Sequence, residues 1–244
     1  MDPKVDIVVN GNKSAADAPF PASLDATLGP GMFAAALREI SSWPGYQQTP
    51  LRHLTSLAGE LGLADIAYKD EADRFGLGSF KALGGAYAVL RCLERALRDA
   101  GITGPVTAAD LTAGRYRDIV STITVTSATD GNHGRSVAWG ARLFGCRAVI
   151  FVHAHVSEAR CKAIEAYGAD VNRVPGNYDD SVRHAFEEAA REGGFVVQDT
   201  ATADYREIPA DITCGYGVIA SEVIEQIETP PTHVIVQAGV GGVA

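Results

Sequence analysis

The chain has 244 residues, 46% hydrophobic and 21% charged, a size for one large domain or two modest ones and a composition ordinary for a soluble globular protein. Lys and Arg number 21 against 30 Asp and Glu, a net charge of −9; with no basic block to displace counterions, nucleic acid is excluded as a partner. No run of about 18 apolar residues is present, so no membrane span is expected. The N-terminal stretch has neither the apolar core of a signal peptide nor the Arg-rich bias of a transit peptide, and cytoplasmic residence is the expectation.

In chain order, the first fifty residues are irregular. A helix over 23–40 is conceivable there, interrupted by Gly29, Pro30 and Gly31. From about residue 63 the pattern sharpens. Residues 66–71 (IAYKDE) read as a short strand, and a helix runs over 79–100 until "GITGP" breaks it. The β-rich run 121–128 precedes a helix over 132–144, and 147–152 is a strand. Ser157 is a candidate N-cap for a helix that Gly168 ends. A strand over 170–174, a helix over 179–192, a strand over 195–198, a helix over 211–228 and a last strand over 232–237 complete the series. Alternating strands and helices with short links predict an α/β protein whose parallel sheets carry helices on both faces.

The four cysteines, Cys92, Cys146, Cys161 and Cys214, form no CxxC pair. Buried thiols are expected rather than disulfides or a zinc site. "VHAH" sets His153 and His155 on one face of a strand end, without enough ligands around them to predict a metal. The strand at 232–237 runs into "AGVGGVA", where a helix should begin and the sequence stops. The reading is of a chain truncated at its C-terminus.

Three segments carry chemistry. "GSFKALGG" (78–85) sets Lys81 among small residues at a helix start, where the macrodipole disfavours a cation and Gly84 and Gly85 let other groups approach closely. "TSATDGNHG" (126–134) places Thr129, Asp130, Asn132 and His133 in a loop between strand and helix, the edge at which open parallel sheets bind ligands. "GVGGVA" (239–244) offers Gly239, Val240, Gly241 and Gly242 as a backbone cradle for phosphate. Each has a bland reading on its own: a solvated lysine, an Asp-Gly turn with helix caps, and a structural turn that also matches a dinucleotide fingerprint.

Taken together and in this order, the segments resemble the pyridoxal-phosphate (PLP) enzymes of fold type II, the group of threonine dehydratase and the tryptophan synthase β subunit. The resemblance narrows to the diaminopropionate ammonia-lyases. It extends through "KDEADRFGLG", "YGADVNRVPGNYDDSV" and "QDTATADYREIPADITCGYG", covering most of residues 46–244. The resemblance implies Lys81 as the lysine that holds PLP covalently, Asn132 against the cofactor's hydroxyl, and Gly239, Val240, Gly241 and Gly242 around its phosphate. It also implies a small amino acid, 2,3-diaminopropionate, as substrate, pyruvate and two ammonia as products, and a homodimer. Asp130 stands where related dehydratases carry a small residue, and Thr202 stands where an aromatic residue is expected.

The chemistry needs a base for the α-proton, which the freed Lys81 supplies, and a carboxylic group at the leaving β-amine. Asp130 and Asp199 are the candidates, because each ends a strand at the ligand edge; Asp199 also has a blander reading as an Asp-Thr turn or cap. Tyr46, Thr49 and Arg74 fall in matching segments without a clear role, Arg74 having Glu71 and Asp73 as nearby partners. The domain division expected is 1–78 plus 200–244 as an incomplete large cofactor domain and 79–199 as a smaller α/β domain. A serine or threonine dehydratase-like lyase, an inactive PLP-binding fragment and a nucleotide-binding protein remain as alternatives.

Overall fold

The computed structural model describes residues 28–243; residues 1–27, part of the first expected helix among them, and Ala244 lie outside it. Helix α1 is Pro30–Ser41. The interruption expected at the Gly-Pro-Gly run is present: Leu28 is helical, Gly29 breaks the run, and Pro30 starts α1, because Pro at the first turn loses no internal hydrogen bond. Strands β1 (Leu51–His53) and β2 (Ala67–Lys69) form an antiparallel pair around helix α2 (Thr55–Leu61). A 3-10 turn over Glu71–Gly76 follows and delivers the chain to helix α3, Lys81–Asp99. Two short helices, α4 (Ala108–Thr112) and α5 (Arg117–Val120), lead into the sheet region.

There the order is strict: β3 (Thr124–Ala128), α6 (Asn132–Phe144), β4 (Arg147–His153), α7 (Glu158–Glu165), β5 (Asp170–Val174), α8 (Tyr178–Glu192), β6 (Phe195–Val196) and α9 (Glu207–Gln226). The four strands form one parallel sheet in the order β5-β4-β3-β6. Period-2 alternation divides them between two layers. Ala148, Ile150 and Val152 of β4 join the main core with Val137, Ala138 and Ala141 of α6. Val149 and Phe151 face the other way and pack with Val174 and Ala185 of α8. On that face Thr126 Oγ1 donates to the Ala185 carbonyl at 2.9 Å. Helices thus cover both sides of the sheet, as the α/β reading requires.

α3 is the hub of the main core. Twelve of its nineteen residues are buried, and it lies between α6 and α9. The approach is close enough to demand glycine: a Cβ on Gly140 of α6 would stand 2.7 Å from Ala86 Cα.

The last expected strand, 232–237, is not a strand. Val234 and Ile235 are 76% and 96% exposed, and the run pairs with no other strand among the described residues. A run of β-branched residues becomes a strand only against a neighbour, and none lies alongside. The described residues therefore contain one parallel sheet, not two.

A buried ionic cluster fixes the segment ahead of α3. Arg74, 1% exposed, makes a two-pronged pair with Glu222 of α9, each bond 2.8 Å. It also bonds Glu71 at 2.9 and 2.8 Å and the Gln47 carbonyl at 3.1 Å. Glu222 further accepts from Tyr46 Oη at 2.8 Å and pairs with Lys69 Nζ at 2.6 Å. Its carboxyl is pushed down to about 2: burial opposes this, but hydrogen bonds from Arg74 and Lys69 overcome it. Thr49 Oγ1 accepts from Arg74 Nη2 at 3.0 Å and the Thr49 N–H donates to Glu222 at 3.2 Å, so Arg74, Thr49 and Tyr46 belong to one clamp whose acidic members are Glu71 and Glu222. The residue after the clamp, Phe75, holds a left-handed φ of 50° and rests on Trp139, ring centroids 4.9 Å apart. The anchored turn sets where α3 begins.

Candidate active site

α3 begins at Lys81, capped by Phe80 with no side-chain bond from the cap. The Lys81 side chain turns to the carboxyl ends of the strands, and its Nζ donates to Asp199 Oδ2 at 2.5 Å. Asp199 stands three residues beyond β6 and Asp130 two residues beyond β3, the neighbouring strand. Both carboxylates therefore lie at the expected edge, but in different surroundings.

Asp199 is enclosed, its side chain 7% exposed beside a Lys81 that is 22% exposed. Burial works to raise its carboxyl, yet the neighbouring His133 and the hydrogen-bonding Lys81 hold it below the ordinary carboxylate range. His133, the second residue of α6, lies behind it with Nδ1 3.7 Å from Asp199 Oδ2. The opposite ring nitrogen, Nε2, donates to the Val197 carbonyl at 2.9 Å, which fixes the tautomer and leaves Nδ1 as a bare acceptor. Burial lowers this imidazole, the charge of Asp199 opposes the shift and that of Lys81 adds to it, and the net direction is down, so His133 is neutral.

Asp130 is open, 59% exposed, and pairs with His153 Nε2 at 3.0 Å instead of with Lys81. It borders a cavity of about 240 Å³ lined by Gly131, Asn132, Arg135, Arg160 and Ala163. Asn132, the first residue of α6, is exposed at this opening. Near both carboxylates is Tyr178 at the start of α8, whose hydroxyl accepts from Gln198 Nε2 at 2.5 Å. Burial raises this phenol, and the nearby charges of Asp199 and Asp130 add to the shift.

The glycine segment reaches the same place from the far end of the chain. The Gly242 carbonyl accepts from Thr213 Oγ1 of α9 at 3.4 Å. A Cβ on Gly242 would lie 3.7 Å from Tyr216 Cε2 and 3.8 Å from the Asp199 carbonyl oxygen. Gly241 has a φ of +85°, and nothing stands within 4 Å of a Cβ on Gly239. Val240 is 50% exposed. Lys81, Asp199 and the glycine segment thus converge, while Asp130 and Asn132 form the outer rim.

Sequence reading named His133 without giving it a role and passed over Tyr216. His133 was visible within "GNHG", but its contact with Asp199 spans the fold. Tyr216 lies between two helical glycines, Gly215 and Gly217, and such glycines mark a close approach. Both carry a buried polar atom, His133 Nδ1 and Tyr216 Oη, with no hydrogen-bond partner among the described residues. Buried polar atoms are normally satisfied. An amine-bearing side chain, two unsatisfied buried atoms and an open glycine backbone together fit a phosphorylated aldehyde cofactor.

His153 and His155 face each other at 5.9 Å between ring centroids. Among the described residues no three His, Cys, Asp or Glu side chains gather as a metal site would require, and no helix is long and apolar enough to cross a membrane.

Residues 42–244 match the family model described as pyridoxal-phosphate dependent enzyme. Diaminopropionate ammonia-lyase of Salmonella typhimurium is 42% identical over 212 residues, covering 82% of this chain and 50% of its own. The Escherichia coli K12 protein of the same name is 40% identical over 207 residues, with the same coverage. Among solved structures, Escherichia coli diaminopropionate ammonia lyase in apo form superposes with a TM-score of 0.80 at 37% identity, over 89% of this chain and 59% of that one. The same enzyme in complex with an aminoacrylate-PLP azomethine reaction intermediate gives a TM-score of 0.78 at 37% identity, over 89% and 54%. The chain spans about half the length of the curated relatives it matches.

Proposed function

The chain belongs to the family of pyridoxal-phosphate-dependent enzymes, with their type II fold, and from that premise we propose that it serves as a lyase converting 2,3-diaminopropionate to pyruvate and two molecules of ammonia. The observation that carries the reading is the 2.5 Å pair between Lys81 Nζ and Asp199, beside the glycine segment and with Asn132 on the outer rim. Relatives of that name at 40% and 42% identity support the substrate.

In this reading Lys81 holds the cofactor, Asn132 meets its ring hydroxyl, and the backbone of Gly239, Val240, Gly241 and Gly242 receives its phosphate. When bound, PLP supplies the electron sink that makes the substrate's α-proton removable. The Lys81 amine takes that proton on its own face, and Asp199 stabilises the ammonium so formed. Asp199 is ionised, so its part at the β-nitrogen is to hold an ammonium ready to leave rather than to donate a proton. Asp130, on the open rim and away from Lys81, is the base for the α-proton of the other isomer. Positioned acid–base groups of this kind contribute on the order of 100- to 10,000-fold in rate.

The domain division at 1–78 plus 200–244 against 79–199 belongs to the same proposal. The parallel sheet lies wholly within 79–199, and the Arg74–Glu222 clamp ties the stretches on either side of it to each other. We extend the reading to a cytoplasmic homodimer engaged in amino-acid breakdown, which light scattering and cell fractionation of the whole protein would test.

The test of the activity is product stoichiometry. Two ammonia per pyruvate from 2,3-diaminopropionate supports the lyase. Turnover confined to serine or threonine, with one ammonia per keto acid, would replace it with a dehydratase.

A further inference from the structure

Tyr216 is 4% exposed, and its hydroxyl has no hydrogen-bond partner among the described residues. A buried tyrosine ordinarily brings its O–H to an acceptor, so the position of this hydroxyl calls for one. The contacts of the ring define where it lies. On one side, a Cβ on Gly84 would stand 2.4 Å from Tyr216 Cε1 and 2.7 Å from Cζ. The first turns of α3 therefore press on the hydroxyl end of the ring. On the other side, Cε2 is the ring atom nearest Gly242. Cε1 and Cε2 flank the carbon that bears the oxygen, so Oη emerges between the start of α3 and the glycine segment.

The start of α3 favours an anion at that point, against the negative charge of Asp199. The N-terminal end of a nineteen-residue helix carries partial positive charge. Lys81 Nζ lies 5.7 Å from the Tyr216 ring centroid, and the Phe80 ring stands edge-on at 5.0 Å. Burial, with the charge of Asp199 adding to it, raises the phenol well above its ordinary value, so it stays a neutral donor throughout the physiological range. Gly215 closes the packing from the α9 side: a Cβ there would meet the Leu83 carbonyl oxygen at 2.4 Å. The tyrosine is held in place by backbone on both helices, and its hydroxyl has no partner among the described residues.

We propose that Tyr216 is a cofactor-binding residue whose hydroxyl donates a hydrogen bond to the phosphate group of PLP, between the first turns of α3 and Gly242. The inference rests on the reading of the chain as a PLP protein and adds to it a side-chain donor that none of the three sequence segments contains. It gives the Tyr216 hydroxyl its acceptor and gives Gly84 its reason, since any larger residue would displace the ring.

The test compares wild type with Tyr216→Phe, which keeps the ring and removes only the oxygen, using PLP and the phosphate-free pyridoxal as probes. Affinity is read by equilibrium titration of cofactor absorbance, and thermal unfolding of the cofactor-free proteins is read beside it. A hydrogen bond to a charged acceptor predicts PLP affinity weakened by about tenfold or more. Pyridoxal affinity should be unchanged, and the variant's midpoint without cofactor should equal or exceed that of wild type, because an unsatisfied buried hydroxyl is gone. Equal PLP affinities in the two proteins would overturn the role of Tyr216 while leaving the PLP reading intact. A parallel loss for PLP and pyridoxal would overturn it too, by showing that the phosphate is not the acceptor. Failure of wild type to take up PLP would overturn both readings.

Discussion

Lys81 Nζ and Asp199 Oδ2 stand 2.5 Å apart, joining the first residue of α3 to the loop beyond β6, across 118 positions of sequence. The pair does two things at once. It turns the lysine toward the ligand edge of the sheet, and it places an ionised carboxylate where a second positive nitrogen can be received. Asp199→Asn keeps the shape and removes the charge. It should lower turnover of 2,3-diaminopropionate by on the order of 100-fold or more. It should also destabilise the protein by on the order of 2 kcal/mol, since a partly enclosed lysine loses its counter-charge. The stabilisation from the native pair follows from a carboxyl held below its reference value of 3.8. It is present above about pH 4 and is lost as pH falls through the lower, folded-state value. Denaturant titrations of both proteins at neutral and acid pH read this directly.

Asp130 belongs to a different environment, 59% exposed and paired with His153. If it is the base for one face of the substrate, the isomers respond unequally to its loss. Asp130→Asn should suppress turnover of the D isomer by about 100-fold or more and that of the L isomer by less than about tenfold. Steady-state assays on the separated isomers measure both numbers, and equal losses would remove Asp130 from the role.

The Arg74–Glu222 clamp makes a separate prediction about acid stability. The Glu222 carboxyl falls from a reference of 4.5 to about 2 on folding. A depressed carboxyl contributes stability that is complete above the unfolded value and disappears as pH drops through the folded one. The contribution, about 3 kcal/mol, is therefore lost between about pH 4.5 and pH 2. Glu222→Gln should be less stable than wild type at pH 7 by about 3 kcal/mol, because it removes the depressed carboxylate and leaves buried Arg74 with Glu71 as its remaining counter-charge. The gap between the two proteins should close as pH approaches 2. A gap that is constant with pH would mean that the carboxyl is not depressed by the clamp.

Gly140 tests the packing of α3 on α6. Its missing Cβ would meet the backbone of Ala86 at 2.7 Å, and backbone cannot rotate away as a side chain can. Gly140→Ala should cost about 1 to 3 kcal/mol, even though alanine favours helix by about 1 kcal/mol over glycine. Urea unfolding monitored by tryptophan fluorescence gives the value, with Trp139 beside the site of change.

How much of this was written in the sequence depends on the range of each interaction. Helix α6 was expected over 132–144 and is Asn132–Phe144; strand β5 was expected over 170–174 and is Asp170–Val174. Both are bounded by local signals, with glycines in the turns that precede and follow α6. The strand expected over 232–237 failed for the opposite reason, since what makes a strand is the neighbour it pairs with. Arg74 shows the limit for polar residues. Its sequence neighbours suggested Glu71 or Asp73, and Glu71 is indeed a partner, but Glu222 lies 148 positions away. The candidate site was legible as three segments because each is compact. Their convergence, and the placing of Tyr216 and His133 within it, depend on α3, α6 and α9 crossing at close range, which no local pattern states.

The central claim is that Lys81 is the lysine that holds PLP. The most direct measurement is borohydride reduction of the protein in the presence of PLP, followed by peptide mapping by mass spectrometry. The account predicts a pyridoxyl adduct confined to the peptide that contains Lys81, and its loss in Lys81→Ala. An adduct on other lysines with the Lys81 peptide unmodified would contradict it.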